Sequence, residues 1–190
     1  IKKNNEKIML DINQGWDLKK ANFYIKKISK HPIFWIEEPI SARSSEKEYL
    51  NLIKNSKVNL ALGENVYNEN LITNFLKNKY LKFFQPDITK YGGITLVNKY
   101  INSKYKNKIY LHFLGSGVGL ITSAHMMSAI NSNGLLETDF NENPLRDNIF
   151  NETIKITNGK IYLNNNPGIG FNLNKKIIKK YTINKFVYKI

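Results

Sequence analysis

Cysteine is absent from the 190 residues. No disulfide can staple the chain and no thiolate can hold a metal. A bound cation would need oxygen or imidazole ligands, which suit a hard ion such as magnesium. No apolar run reaches the roughly 18 residues that span a bilayer. The opening, Ile1-Lys2-Lys3-Asn4-Asn5-Glu6, lacks both a Met and the apolar core of a signal peptide. It reads as the start of a fragment or a processed product, and the expected location is cytoplasmic. Arginine is nearly missing, with Arg43 and Arg146 alone. Acid is scarce beside base: 15 Asp and Glu stand against 29 Lys and Arg, for a formal charge of +14. Such a charge invites a nucleic-acid partner. The lysines, however, are spread over every segment, and aromatics such as Phe83 and Phe84 sit in apolar runs. Compositional bias at surface positions accounts for the charge, and no nucleic-acid or membrane partner is expected.

What remains is ordinary globular material, 42% hydrophobic and long enough for one substantial core. Short apolar segments alternate with amphipathic ones. Strands are predicted at Lys7–Ile12, Ile33–Glu37, Asn59–Gly63, Lys82–Asp87, Lys108–His112 and Gly134–Thr138. Helices are predicted at Asp17–Ser29, Ser44–Lys54, Asn68–Asn78, Thr95–Ser103 and Val118–Ile130. In the first helix, Leu18, Ala21, Tyr24, Ile25 and Ile28 fall on one face, and Asp17 is placed to cap its start. Alternating βα units imply parallel strands with helical crossovers. An open doubly wound sheet and a (β/α)8 barrel both fit that pattern.

The polar residues separate the two. Asp11, Glu37, Glu64, Asp87, His112 and Glu137 each end or closely follow a predicted strand, at intervals of about 25 residues, one βα unit per step. A single acid after a strand is most often a helix cap or a solvated loop residue. Six in succession suit a barrel, whose strand ends converge on one mouth. In an open sheet they would spread along an edge by about 4.8 Å per strand. Carboxylates on neighbouring strands repel unless a cation lies between them. Asp11, Glu37 and Glu64 therefore make a sensible Mg2+ ligand set.

The motifs around these residues resemble a known family. Leu10-Asp11-Ile12-Asn13, Trp35-Ile36-Glu37-Glu38-Pro39 and Leu62-Gly63-Glu64-Asn65 are similar to the three metal-ligand motifs of the enolase superfamily. Gln85-Pro86-Asp87-Ile88-Thr89-Lys90-Tyr91-Gly92-Gly93 resembles the sixth-strand motif of its mandelate racemase and muconate lactonizing enzyme group. His112 resembles that group's seventh-strand histidine, and Leu135-Leu136-Glu137 its eighth-strand acid. Asn143-Pro144-Leu145-Arg146 and Asn166-Pro167-Gly168-Ile169-Gly170 are similar to its C-terminal segment. The resemblance runs from about residue 7 to about residue 175 and draws its specificity from the order of the motifs.

The resemblance implies a partial TIM-type barrel with about strands 3–8 present. The first two strands, an acid/base residue on the second of them and an N-terminal capping domain would be missing. Residues 1–140 would be the partial catalytic barrel, and 141–190 a C-terminal segment completing it or packing on it. Asp11, Glu37 and Glu64 would ligate Mg2+, with Glu38 behind them and counted with Asn13 as a substrate-binding candidate. Asn13 should point the same way along its strand as Asp11. His112 would act as base, or as acid on the opposite face, with Asp87 holding it. Glu137, if protonated, would donate a hydrogen bond to a substrate carboxylate. The implied reaction removes a proton alpha to a carboxylate, with enediolate stabilisation, and most simply dehydrates a sugar acid to a 2-keto-3-deoxy acid. Racemisation or epimerisation of a 2-hydroxy acid uses the same chemistry, and an inactive or binding-only fragment is the remaining alternative. Relatives of this kind often form homo-oligomers.

Three features stay open or bland. Lys90 is either a loop surface charge or part of the mouth. His125 reads as helix packing and His31 as exposed. The glycines at 115, 117 and 119 read as a turn-forming loop before a helix, with an anion cradle as the lesser alternative.

Overall fold

The computed structural model describes residues 6–101 and 103–188. Side chains alternate across each strand, and that alternation builds two layers of core. β1 (Ile8–Asp11), β2 (Ile33–Glu37), β3 (Leu60–Leu62) and β4 (Phe83–Phe84) form a parallel sheet in the order β1-β2-β3-β4. α1 (Leu18–Ile28), α2 (Glu46–Asn55) and α3 (Glu69–Lys77) are the crossovers between them. Leu10, Ile36, Leu60, Leu62 and Phe84 share the main core with Ala21, Ile25, Tyr49, Leu52, Ile72 and Phe75 of the helices. The intervening residues, Met9, Trp35, Ala61 and Phe83, join Tyr110 in a second cluster on the other face. Trp35, Phe83 and Tyr110 touch ring to ring there, with centroids 4.8 to 5.7 Å apart.

Each crossover helix begins on a side-chain cap that supplies an acceptor for an otherwise unpaired backbone N–H. Asp17 accepts from the Lys20 amide at 2.7 Å and Asn68 from the Leu71 amide at 3.0 Å. Ser45 and Glu48 form a reciprocal capping box. α3 is also closed at its far end: the Lys108 ammonium donates to the carbonyls of Phe75, Leu76 and Asn78, where the helix dipole favours a cation.

β4 is shorter than the predicted Lys82–Asp87 because Pro86 has no N–H to continue a ladder. The strands predicted at Lys108–His112 and Gly134–Thr138 are extended segments with sparse bonding. Phe84 pairs with Ile109 in an isolated parallel bridge, the Tyr110 amide donates to the Phe84 carbonyl at 2.9 Å, and the Glu137 amide donates to the Leu111 carbonyl at 3.0 Å. The succession of six units is therefore kept, although regular pairing covers only four.

α4 (Ile94–Tyr100) and α5 (Gly117–Ala129) follow the last two units, with α4 running from one residue earlier than predicted. Gly117 and Gly119 lie inside α5 instead of in a loop. A Cβ on Gly117 would sit 2.6 Å from the Arg146 carbonyl oxygen, and one on Gly119 would sit 2.7 Å from the Phe113 ring. These glycines serve close packing on two sides of one helix.

The segment from 141 onward packs on α5. It holds α6 (Pro144–Asp147), a hairpin of β5 (Ile156–Thr157) and β6 (Lys160–Ile161), and α7 (Lys175–Tyr181). Ile149 and Phe150 bury against Ile121 of α5, and Ile154, Ile161, Phe171 and Ile177 surround them. His125 is part-buried as expected and also hydrogen-bonds the Ile169 carbonyl at 3.2 Å, tying this segment down. His31 is exposed. No helix among the described residues is long and apolar enough to cross a membrane.

Gly134 is the tightest joint in the fold, since a Cβ there would lie 2.1 Å from the Ile109 carbonyl oxygen. Gly134→Ala must push two backbone segments apart. It should lower the unfolding free energy by about 1–3 kcal/mol, read from the denaturant midpoint. An unchanged midpoint would mean that 134–138 is not docked on 108–112.

Candidate active site

The polar residues stand one step beyond the inner apolar layer. Asp11 follows Met9 by two positions, Glu37 follows Trp35, Gln85 follows Phe83 and His112 follows Tyr110. Period-two alternation sends each of them to the same face as the residue two before it. Asp11 and Glu37 are register partners at the carboxyl ends of β1 and β2. Glu64 lies two residues past β3, and Asp87 three past β4. The Glu137 amide bonds to the carbonyl just before His112.

His112 sits at the centre, 5% exposed. Its Nδ1 is 2.7 Å from Asp87 Oδ2, and its Nε2 contacts Glu64 Oε2. Burial alone would lower its pKa, but these hydrogen bonds to Asp87 and Glu64, with the charge of Glu137, raise it to about 10. The imidazole therefore carries its proton at neutral pH and donates from both nitrogens. Asp87 is fully buried and also accepts from the Thr89 amide at 2.7 Å and the Thr89 hydroxyl at 2.6 Å. Burial works against its charge, yet His112 and Thr89 hold its carboxyl below the usual 3.8.

The other acids divide by environment. Burial, reinforced by the charges of Glu137 and Asp11, pushes Glu37 to about 7 despite hydrogen bonds from Gln85 and Trp35; the Trp35 indole donates to Glu37 Oε2 at 3.1 Å. Burial also raises Glu38, whose Oε2 accepts from Asn65 at 2.8 Å while Oε1 has no partner. Partial desolvation raises Glu137 at the open rim, with Glu64 and Asp11 adding to it and His112 opposing. Glu64 resists its own burial and is drawn down by His112 and Lys90.

One expectation needs correction. Asn13 does not continue the alternation of β1, because the strand ends at Asp11 and the chain turns through positive φ at Asn13 and Gln14. Asn13 instead donates its backbone N–H to Asp11 Oδ1 at 2.8 Å. Among the described residues no three His, Asp or Glu side chains already form a group that could hold a metal ion. Asp11 and Glu37 are adjacent, but Glu64 uses its carboxylate on His112, Lys90 and Asn65. The donor chemistry nonetheless fits a hard divalent cation. It consists of carboxylate oxygens, one of them raised by burial and by neighbouring negative charge, and the orphaned buried oxygens Glu38 Oε1 and Gln85 Oε1 lie on the same strand ends.

Lys90 belongs to the mouth, which the sequence left open. Its ammonium is 3.1 Å from Glu64 Oε2 and 3.4 Å from Asn65 Oδ1. Asn65, Gln85 and Thr89 are additional partners. Their only signal in the sequence is that they flank the strand-end acids.

A family model described as Enolase C-terminal domain-like matches residues 2–177. The chain belongs to the enolase superfamily. Its relatives include acid-sugar dehydratases and enzymes of the mandelate racemase and muconate lactonizing kind. It is 28% identical to an arabinonate dehydratase of Saccharolobus solfataricus, over 92% of this chain and 47% of that protein. It is also 28% identical to an L-talarate/galactarate dehydratase of Salmonella typhimurium, over 89% of this chain and 40% of that protein. A mandelate racemase/muconate lactonizing enzyme structure from Bordetella bronchiseptica superposes with a TM-score of 0.83 and 30% identity, covering 93% of this chain and 50% of that one. The chain spans about half the length of the relatives it matches.

The Asp87 carboxyl, depressed in the fold, contributes stability that is present above the ordinary Asp value and lost as pH falls through its lowered value. Asp87→Asn removes that dependence. Between about pH 4 and pH 2 the wild type should lose more unfolding free energy than the variant. Parallel curves from denaturant melts across that range would mean that Asp87 is not held ionised by His112.

Proposed function

We propose that this site dehydrates a sugar acid with the help of Mg2+, removing the proton alpha to the carboxylate and expelling the beta-hydroxyl to leave a 2-keto-3-deoxy acid. One observation carries the reading: a buried imidazole, kept protonated between two carboxylates, stands among strand-end acids suited to a hard cation. The similarity to two sugar-acid dehydratases supports it. Residues 1–140 would carry the catalytic part of a (β/α)8 barrel, and the segment from 141 onward would brace it.

In this reading Asp11, Glu37 and Glu64 hold Mg2+, and the chemistry it supplies when bound is withdrawal of charge from the substrate carboxylate, which acidifies the alpha carbon. His112, charged at neutral pH, gives its Nε2 proton to the departing hydroxyl, which leaves as water, while the alpha proton passes to a base on the opposite face, the acid/base residue that the resemblance places on the barrel's second strand. Asp87 keeps the Nδ1 proton in place and fixes the ring's orientation. Glu137, when protonated, would donate a hydrogen bond to the substrate carboxylate. Glu38 and Asn65 steady Glu64 from behind. Delivered to the alpha carbon instead, the His112 proton would give epimerisation, a reading favoured by the likeness to a mandelate racemase/muconate lactonizing enzyme.

The test is turnover of a panel of aldonic and aldaric acids with Mg2+, following 2-keto-3-deoxy acid. His112→Asn should reduce kcat/KM by about 10²–10⁴. Alpha-epimerised acid as the sole product would move the assignment to an isomerase. Folded protein that binds Mg2+ but turns over no acid would reject catalysis by this chain.

A further inference from the structure

We infer that Lys90 is an internal counter-cation of the carboxylate set, and that by pairing with Glu64 it weakens the hold of the site on a divalent cation. The inference rests on the assignment of Glu64 as a metal ligand.

Lys90 lies in the loop after β4, and Asp87 shapes that loop. The Lys90 amide donates to the Asp87 carbonyl at 3.2 Å and to Asp87 Oδ1 at 3.3 Å, and the Tyr91 amide donates to the same carbonyl at 2.9 Å. One residue thus anchors both His112 and the base of the Lys90 side chain. The ammonium reaches back 26 positions to Glu64 Oε2, the same oxygen that meets His112 Nε2. It also meets Asn65 Oδ1, and the Asn65 amide in turn donates to Glu64 Oε1 at 2.6 Å and Glu38 Oε2 at 2.8 Å. Lys90, Asn65, Glu64 and Glu38 therefore form one connected network.

An exposed ion pair would mean little, since such pairs contribute about 0–1 kcal/mol. This one is different on its acidic side. The Glu64 side chain is only 13% exposed, against 31% for Lys90. The charge of Lys90 also acts on Glu38 and on Glu137 across the mouth. A cation that approaches Glu64 must share it with, or take it from, an ammonium already in contact. Removing that ammonium leaves the carboxylates more negative and the divalent cation better held.

Calorimetric titration of Mg2+ into the full chain at matched ionic strength tests this. Lys90→Met and Lys90→Gln should bind Mg2+ tighter than the wild type by on the order of tenfold. Lys90→Arg, which keeps the charge, should stay near the wild type, and Glu64→Gln should bind more weakly. Unchanged or weaker binding by both neutral variants, with wild-type binding intact and sensitive to Glu64→Gln, would overturn the role of Lys90 and leave the ligand assignment standing. Absence of binding by the wild type and both neutral variants, all folded by circular dichroism, would overturn the two together.

Discussion

His112 lies between Asp87 and Glu64, and the carboxylates at this end of the sheet are tolerable because of that bridge and of Lys90 beside it. Asp87 and Glu64 come from successive βα units, so the imidazole ties the ends of neighbouring strands together as well as balancing their charge. Where no cation is near, as at Glu37, burial and like charge drive the carboxyl toward neutrality instead. Two outcomes for the same residue type arise from position: direct hydrogen bonds to His112 and Lys90 outweigh burial at Glu64, while burial prevails at Glu37.

The support for this arrangement is apolar. Trp35, Phe83 and Tyr110 pack on the face on which the strand-end acids stand. Behind the sheet, capped helices press Leu52, Ile72 and Phe75 against Leu60, Leu62 and Phe84. Positions within one strand therefore alternate between holding the helices on and holding the site up. A one-residue slip in register would exchange the two roles.

The alternation made much of this legible in the sequence. Phe34-Trp35-Ile36-Glu37 states a buried strand with an acid at its end, and the caps at Asp17, Ser45 and Asn68 fall where a helix needs acceptors. What could not be read depends on distant geometry. Glycine marks a turn and a close helix contact equally well, so the sequence does not separate a loop at Gly117 and Gly119 from their packing against the Arg146 carbonyl and Phe113. Asn13 followed a strand rule past the point where the strand stops. Whether Lys90 faced solvent or Glu64 was decided by a loop folding back over 26 positions. The ligand assignment of Glu64 was drawn from its place in the series, and its competition with His112 and Lys90 has no local signature.

The indole of Trp35 links the two layers directly, since its N–H is bonded to Glu37 while its ring packs on Phe83. The second tryptophan, Trp16, stacks on Tyr24 of α1, on the helix side of the sheet. The two fluorophores thus occupy different compartments: one is bonded to the carboxylate layer and shielded from quenchers, the other borders the helical coat. A change in the state of Glu37 should therefore reach Trp35 emission through this hydrogen bond, with Trp16 as an internal reference.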